Sequence, residues 1–243
     1  MTQAPASPNG DDSPAHAAVP IRDAATVIVL DRTATSGPSV LMGQRGAGAV
    51  FMPSKFVFPG GAVDAEDGHA ALAGPLTPET ARRLAAEPRA NVTTAPEKIA
   101  AAALRELAEE TGLTTGAAGP APAGWEMYER AGFAPDPSGL TYLFRAITPP
   151  GRPRRFDARF LVLDAGRLNG DIHDFSGACD ELSHLHWVPI AEARGLDLPF
   201  ITEVALAELS ALIRLSGEGP LALPPSVPFF DNRSNQPRFM RID

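Results

Sequence analysis

Two hydrophobic patterns alternate along the chain, short unbroken apolar runs and stretches whose apolar residues recur every three or four positions. Residues 24–30 (AATVIVL) form the first run and predict a buried strand ending at Asp31-Arg32. A turn over 33–38 and a second run at 40–44 predict a hairpin, and 56–58 predict a short strand broken by Pro59-Gly60-Gly61. Residues 62–96 change character: small residues, prolines and one modest helix over 78–87 read as an insertion. The clearest helix follows. Thr94-Ala95-Pro96-Glu97 has the spacing of a capping box; Ala100, Ala103, Leu104, Leu107 and Thr111 share one face, and Gly112 supplies the stop.

Beyond Leu113, an Ala/Gly/Pro-rich stretch to Gly124 reads as a flexible linker, and 125–131 as a short helix. Residues 140–147, 159–163 and 184–188 are strand candidates, and 201–215 is a second long amphipathic helix. Strands placed before, between and after two long helices predict an α/β domain over 21–218. Residues 1–20 read as a disordered tail without a secretory signal, and 219–243 as an irregular segment without a peroxisomal address.

Composition narrows the function classes. The chain has 243 residues, 44% of them hydrophobic, and no apolar run approaches the ~20 residues that span a bilayer. Its net charge of −8 argues against nucleic-acid binding, which needs Lys and Arg to neutralise phosphates. With Cys179 as its only cysteine it has no disulfide framework, so a cytoplasmic location is the default, and Cys179 reads as a small buried residue. Gly43, Gly46 and Gly48 lack the spacing of a dinucleotide fingerprint.

Candidate chemistry lies on the first long helix. Glu106, Glu109 and Glu110 stand at i, i+3 and i+4, which places three carboxylates on one side. Their mutual repulsion is relieved by a hard divalent cation such as Mg²⁺ or Mn²⁺. A solvated acidic face is the competing explanation, but it leaves Gly60-Gly61, Arg105 and Gly112 without a purpose.

The string Arg105-Glu106-Leu107-Ala108-Glu109-Glu110-Thr111-Gly112-Leu113 resembles the second half of the Nudix box, G-x5-E-x7-R-E-U-x-E-E-x-G-U, with U aliphatic. Glu97 precedes Arg105 by the seven residues the box requires, and 57–61 (VFPGG) resemble its opening. One departure is evident: thirty-five residues, not five, separate Gly61 from Glu97. Asp67 holds the nominal spacing from Gly61, yet only Glu97 has the right spacing to Arg105, so Glu97 is assigned and 62–96 taken as an insertion within the box. Residues 51–67, 154–160 and 198–202 further resemble the subgroup called nucleoside diphosphate-linked moiety X motif 19, whose members hydrolyse coenzyme A and its esters and also interrupt the box.

The resemblance implies a Nudix fold, a mixed β-sheet sandwiched between helices (α/β/α), and hydrolysis of a phosphoanhydride in a small-molecule nucleoside diphosphate derivative. It implies Mg²⁺ or Mn²⁺ on Glu106, Glu109, Glu110 and the carbonyl of Gly60, with Glu106, Glu109, Arg105 and Glu181 as catalytic candidates. Gly61, Glu97 and Gly112 would shape the box, and a homodimer is the family habit. Arg45, Arg154 and Arg155 are candidates for substrate phosphates, although a solvated loop is the better reading of the cluster formed by Arg152, Arg154, Arg155 and Arg159. For Glu181 the competing reading is a solvated loop carboxylate, and for His173, His184 and His186 a surface or core role. An ADP-ribose, dinucleotide or nucleoside triphosphate substrate, and a nucleotide-sensing module without turnover, are the alternatives.

Overall fold

A computed structural model describes residues 19–243, so all but the last two residues of the 1–20 tail lie outside the described part. In chain order the elements are β1 (Ile21–Asp31), β2 (Ser39–Arg45), β3 (Phe56–Val57), β4 (Gly60–Ala62), α1 (Pro78–Ala85) and α2 (Pro96–Thr111). Then come β5 (Gly116–Ala118), α3 (Glu126–Ala131), β6 (Phe133–Pro135), β7 (Thr141–Ile147), β8 (Arg155–Asp164) and β9 (Leu182–Pro189). The last are α4 (Ile190–Ala193), α5 (Phe200–Ser216), β10 (Val227–Asp231) and β11 (Arg238–Ile242).

β1 is apolar at consecutive positions because both its faces are covered. Ala25, Val27 and Val29 face α2, whereas Ile28 and Leu30 face the layer containing α5. β8 runs parallel to β1 from Ile21↔Arg155 to Leu30↔Asp164. The mixed sheet follows the order β11-β10-β7-β8-β1-β2-β3, with β4 added to β1 and β9 to β2. It lies between α2 on one face and α5 on the other, the expected α/β/α sandwich. β1 divides its second edge: Leu30 and Asp31 pair with β2, and Ala24 to Thr26 pair with β4. That division brings Gly60 and Gly61 beneath α2.

Three sequence expectations give way here. The C-terminal segment is not irregular, because β10 pairs with β7 and β11 with β10, and Val227, Phe229 and Ile242 join the core. Prolines between 220 and 228 hide this by breaking the periodicity, although Pro228 itself lies in β10 opposite Arg241. The supposed linker carries β5, paired with β6. The capping box does not form: Ala95 is the N-cap of α2 and makes no side-chain cap bond, while Thr94 Oγ1 donates to Asp23 Oδ2 at 2.6 Å.

Residues 62–96 are not a loose loop either. Leu76 and Leu84 pack in the core with α2, and Arg83 donates to the carbonyl of Pro224 at 2.7 Å. Further along, Arg89 meets Asp23 at 2.8 Å and Asp157 at 3.0 Å. Asp157 is fully buried and forms a two-pronged pair with the equally buried Arg145, both contacts 2.8 Å. Arg145 also donates to the carbonyls of Ala86 and Glu87. Arg159, assigned above to the basic loop cluster, instead binds Asp23 inside this network. Burial alone would raise the Asp23 carboxyl, but Arg159, Thr94 and Arg89 outweigh it and pull the pKa down to about 2.

Candidate active site

The site is built where β4 runs under α2. Gly60 has φ +152°, and a Cβ there would lie 2.4 Å from the carbonyl oxygen of Ala25, so only glycine fits against β1. Its N–H donates to Glu110 Oε2 at 2.7 Å. At Gly61 the constraint is different: a Cβ would strike the Glu106 carboxylate at 2.4–2.5 Å. Gly61 therefore makes room for the Glu106 carboxylate, while Gly60 lets β4 lie close against β1 with its N–H turned to Glu110. Two residues beyond Glu110, Gly112 caps the helix in the left-handed region at φ 77°.

These carboxylates are electrostatically uncomfortable. Glu110 is 1% exposed, and its Oε1 has no hydrogen-bond partner. Burial pushes its pKa up to about 8; the Gly60 N–H and Arg45 oppose the shift, while Glu106 and Glu181 add to it. For Glu106 burial again dominates and gives about 7, against the pull of Arg105 and with the push of Glu109 and Glu181. Glu109 is half exposed at the rim.

Arg105 organises the cluster. Its Nη1 donates to Glu106 Oε1 at 2.9 Å and to Glu109 Oε2 at 3.0 Å. Its other edge grips Asp67 through Nε at 2.7 Å and Nη2 at 3.1 Å, and Nη2 also reaches the carbonyl of Ala62. Asp67, not Glu97, is thus the partner of Arg105. Glu97 is exposed in the first turn of α2, and eight residues of helix put it about 12 Å along the axis from Arg105. The chain is interrupted after Asp67, so counting back from Arg105 leads to the wrong acid. Spacing from Gly61 was the signal that identified the right one.

Among the described residues no three His, Cys, Asp or Glu side chains converge closely enough to enclose an ion as they stand. Glu106 and Glu109 are both turned onto Arg105, and Glu110 onto Gly60, so the three glutamates do not present one ready cage. The donor set nevertheless fits a hard cation: carboxylate oxygens, one of them buried without a partner, in a cluster where burial and mutual repulsion disfavour negative charge.

Glu181 precedes β9 and pairs with Arg45, at the end of β2, at 3.0 Å. Its charge acts on both Glu106 and Glu110, so these two sequence candidates border the box. The neighbouring loop is tied to α2, since the Cys179 N–H donates to the carbonyl of Glu109 at 2.8 Å. Cys179 is exposed, not buried. Arg154 and Arg155 are not gathered here. Arg155 is buried and donates to the carbonyls of Thr148 and Asn232. It pairs opposite Ile21, five strand residues or about 17 Å from the Thr26 that holds Gly60. Arg154 is exposed in the turn before β8. His184 and His186 are exposed on β9, in keeping with a surface role.

Comparison with known proteins bears on the fold. No protein-family model and no curated protein matches the sequence. Among solved structures the chain is similar to a NUDIX hydrolase from Alicyclobacillus acidocaldarius, with 26% identity and a TM-score of 0.54, over 83% of this chain and 98% of that one. It also aligns with the Nudix hydrolase RenU from M. smegmatis, with 16% identity and a TM-score of 0.45, over 81% of this chain and 88% of the other. The architecture is that of the Nudix hydrolases.

Proposed function

We propose that this chain is a Nudix-type hydrolase that uses a divalent cation to cleave the phosphoanhydride bond of a nucleoside-diphosphate-linked small molecule. The observation that carries the reading is Glu110: a buried carboxylate with one oxygen on the Gly60 N–H and the other on nothing. Such a group is costly unless something positive joins it. The likeness to the Alicyclobacillus hydrolase supports the same reaction class.

Glu106, Glu109 and Glu110 would hold Mg²⁺ or Mn²⁺, with the Gly60 carbonyl as a further oxygen. Bound there, the ion would polarise the diphosphate and acidify an attacking water. Arg105, fixed from behind by Asp67, keeps Glu106 and Glu109 together and balances part of their charge. Glu181 is the candidate proton acceptor, and Arg45 beside it the candidate partner for a phosphate oxygen. Attack of water on one phosphorus breaks the bridging P–O bond and releases two phosphomonoesters. Arg155 has no part in this, because its guanidinium is committed to backbone carbonyls.

For the substrate, coenzyme A and its esters lead, on the strength of the resembling segments at 51–67, 154–160 and 198–202. Incubation with Mn²⁺ and coenzyme A, acyl-coenzyme A, NADH, ADP-ribose and nucleoside triphosphates in ¹⁸O-water, read by mass spectrometry, tests the assignment. Cleavage should place one ¹⁸O in one of two monophosphate products. Ligand binding with no cleavage of any diphosphate would overturn the enzyme reading in favour of a nucleotide sensor.

A further inference from the structure

A cleft of about 270 Å³ opens beside Glu109. One wall is α2, with Ala108 and Glu109; the other is Trp125 and α3, with Met127 and Arg130; the loop carrying Ala178 closes the end. The floor is apolar and well packed, since Ala108 is 3% and Trp125 9% exposed. The walls are also fixed in place. A Cβ on Gly177 would lie 2.5 Å from the Met127 methyl, and one on Gly112 would lie 3.0 Å from Gly177. The loop is held in a turn by the Ala178 N–H, which donates to the Phe175 carbonyl, and is tethered to α2 by the Cys179 N–H, which donates to the Glu109 carbonyl. No room remains for the loop to move closer to either helix.

The charge around the cleft excludes one class of occupant. Its two arginines are both committed, Arg105 to Asp67, Glu106 and Glu109, and Arg130 to Glu126 at 3.1 Å. Glu109 and Glu126 stand with them, so the cleft has no surplus cation to meet a second phosphate. Its size holds one ring system or a short chain, well below a whole dinucleotide.

We propose that this cleft seats the uncharged, largely apolar arm of the substrate that adjoins the scissile diphosphate, and that Ala178 sets how bulky that arm can be. The inference rests on the hydrolase reading above. Because Glu109 belongs to both the box and the cleft, an arm lodged there places the attached diphosphate alongside the carboxylates.

Ala178→Trp and the smaller Ala178→Leu, made in the full chain, test it. With the substrate that the wild type cleaves best, KM should rise at least about tenfold in Ala178→Trp and by less in Ala178→Leu, with kcat nearly unchanged. Mn²⁺ affinity, measured by electron paramagnetic resonance, should stay at the wild-type value in both. Should Ala178→Trp fail to fold, the Ala178→Leu value alone decides. A folded variant with the wild-type KM for every cleaved substrate, or one that loses kcat at constant KM, overturns the inference and leaves the hydrolase reading intact. A wild type that cleaves none of the diphosphates overturns both.

Discussion

Two buried charge clusters lie on the α2 side of the sheet, and they are balanced in opposite ways. In the network at the start of β1 and β8, Arg89, Arg145 and Arg159 face only Asp23 and Asp157, and every carboxylate oxygen of that pair has a cationic or hydroxyl partner. In the box, Arg45 and Arg105 face Asp67, Glu106, Glu109, Glu110 and Glu181. The first cluster lowers a carboxyl pKa to about 2, whereas the second raises two, to about 7 and about 8. Paired charge of the first kind holds the fold together. Burial together with surplus negative charge of the second kind disfavours the ionised carboxylates, which is the electrostatic signature that the proposed cation site rests on.

Breaking each cluster should therefore give opposite results. Glu110→Gln should reduce divalent-dependent turnover to background while the melting temperature, taken in chelator above about pH 8, holds or rises because a buried charge is removed; steady-state kinetics with thermal melts checks both. Asp157→Asn should act the other way, lowering stability by about 3–5 kcal/mol in urea unfolding, since it leaves buried arginines without their partner. Asp67→Asn should lower activity or Mn²⁺ affinity by about 10–100-fold through loss of the grip on Arg105. If it matches the wild type in both, the placement of Asp67 as that partner is wrong.

The pH dependence of stability sharpens the contrast. Glu106 and Glu110 are raised above their ordinary 4.5, so their contribution is fully present below about pH 4.5 and lost as pH rises through about 7 and 8. Asp23 is lowered from 3.8, so its contribution is present above that value and lost as pH falls through about 2. In chelator the melting temperature should fall by several degrees between about pH 5 and pH 9, and Mn²⁺ should restore it. A flat profile in chelator would contradict the raised acidities. The smallest effect belongs to Glu97→Gln, within about 0.5 kcal/mol of wild type and with unchanged kinetics, as suits an exposed side chain.

Much of this was legible in the sequence wherever one residue's neighbours decide its fate. The run at 24–30, the helices ending at Gly112 and starting near Ile201, and the short strand into Gly60-Gly61 all follow local pattern. So does the grouping of Arg105 with Glu106 and Glu109, one turn apart. What could not be read depended on partners far along the chain. Glu97 has the spacing of the box, but a helix carries it away from Arg105, and Asp67 returns from across the interruption. Arg154 and Arg155 look alike in sequence; the carbonyls of Thr148 and of Asn232, the latter seventy-seven residues on, hold Arg155 out of solvent. The last two strands were hidden because prolines break the pattern at and before β10, and because β10 pairs with the distant β7 and β11 with β10.

The segment between Asp67 and α2 reads in sequence as a lengthened loop, yet its far end lends the carbonyls of Ala86 and Glu87 to a guanidinium in the middle of the sheet. Cut the loop back to five residues and Arg145 keeps Asp157 but its Nη1 is left facing nothing. The rest of the fold thus leans on this segment, and a shortened loop would be tolerated only with a different residue at 145.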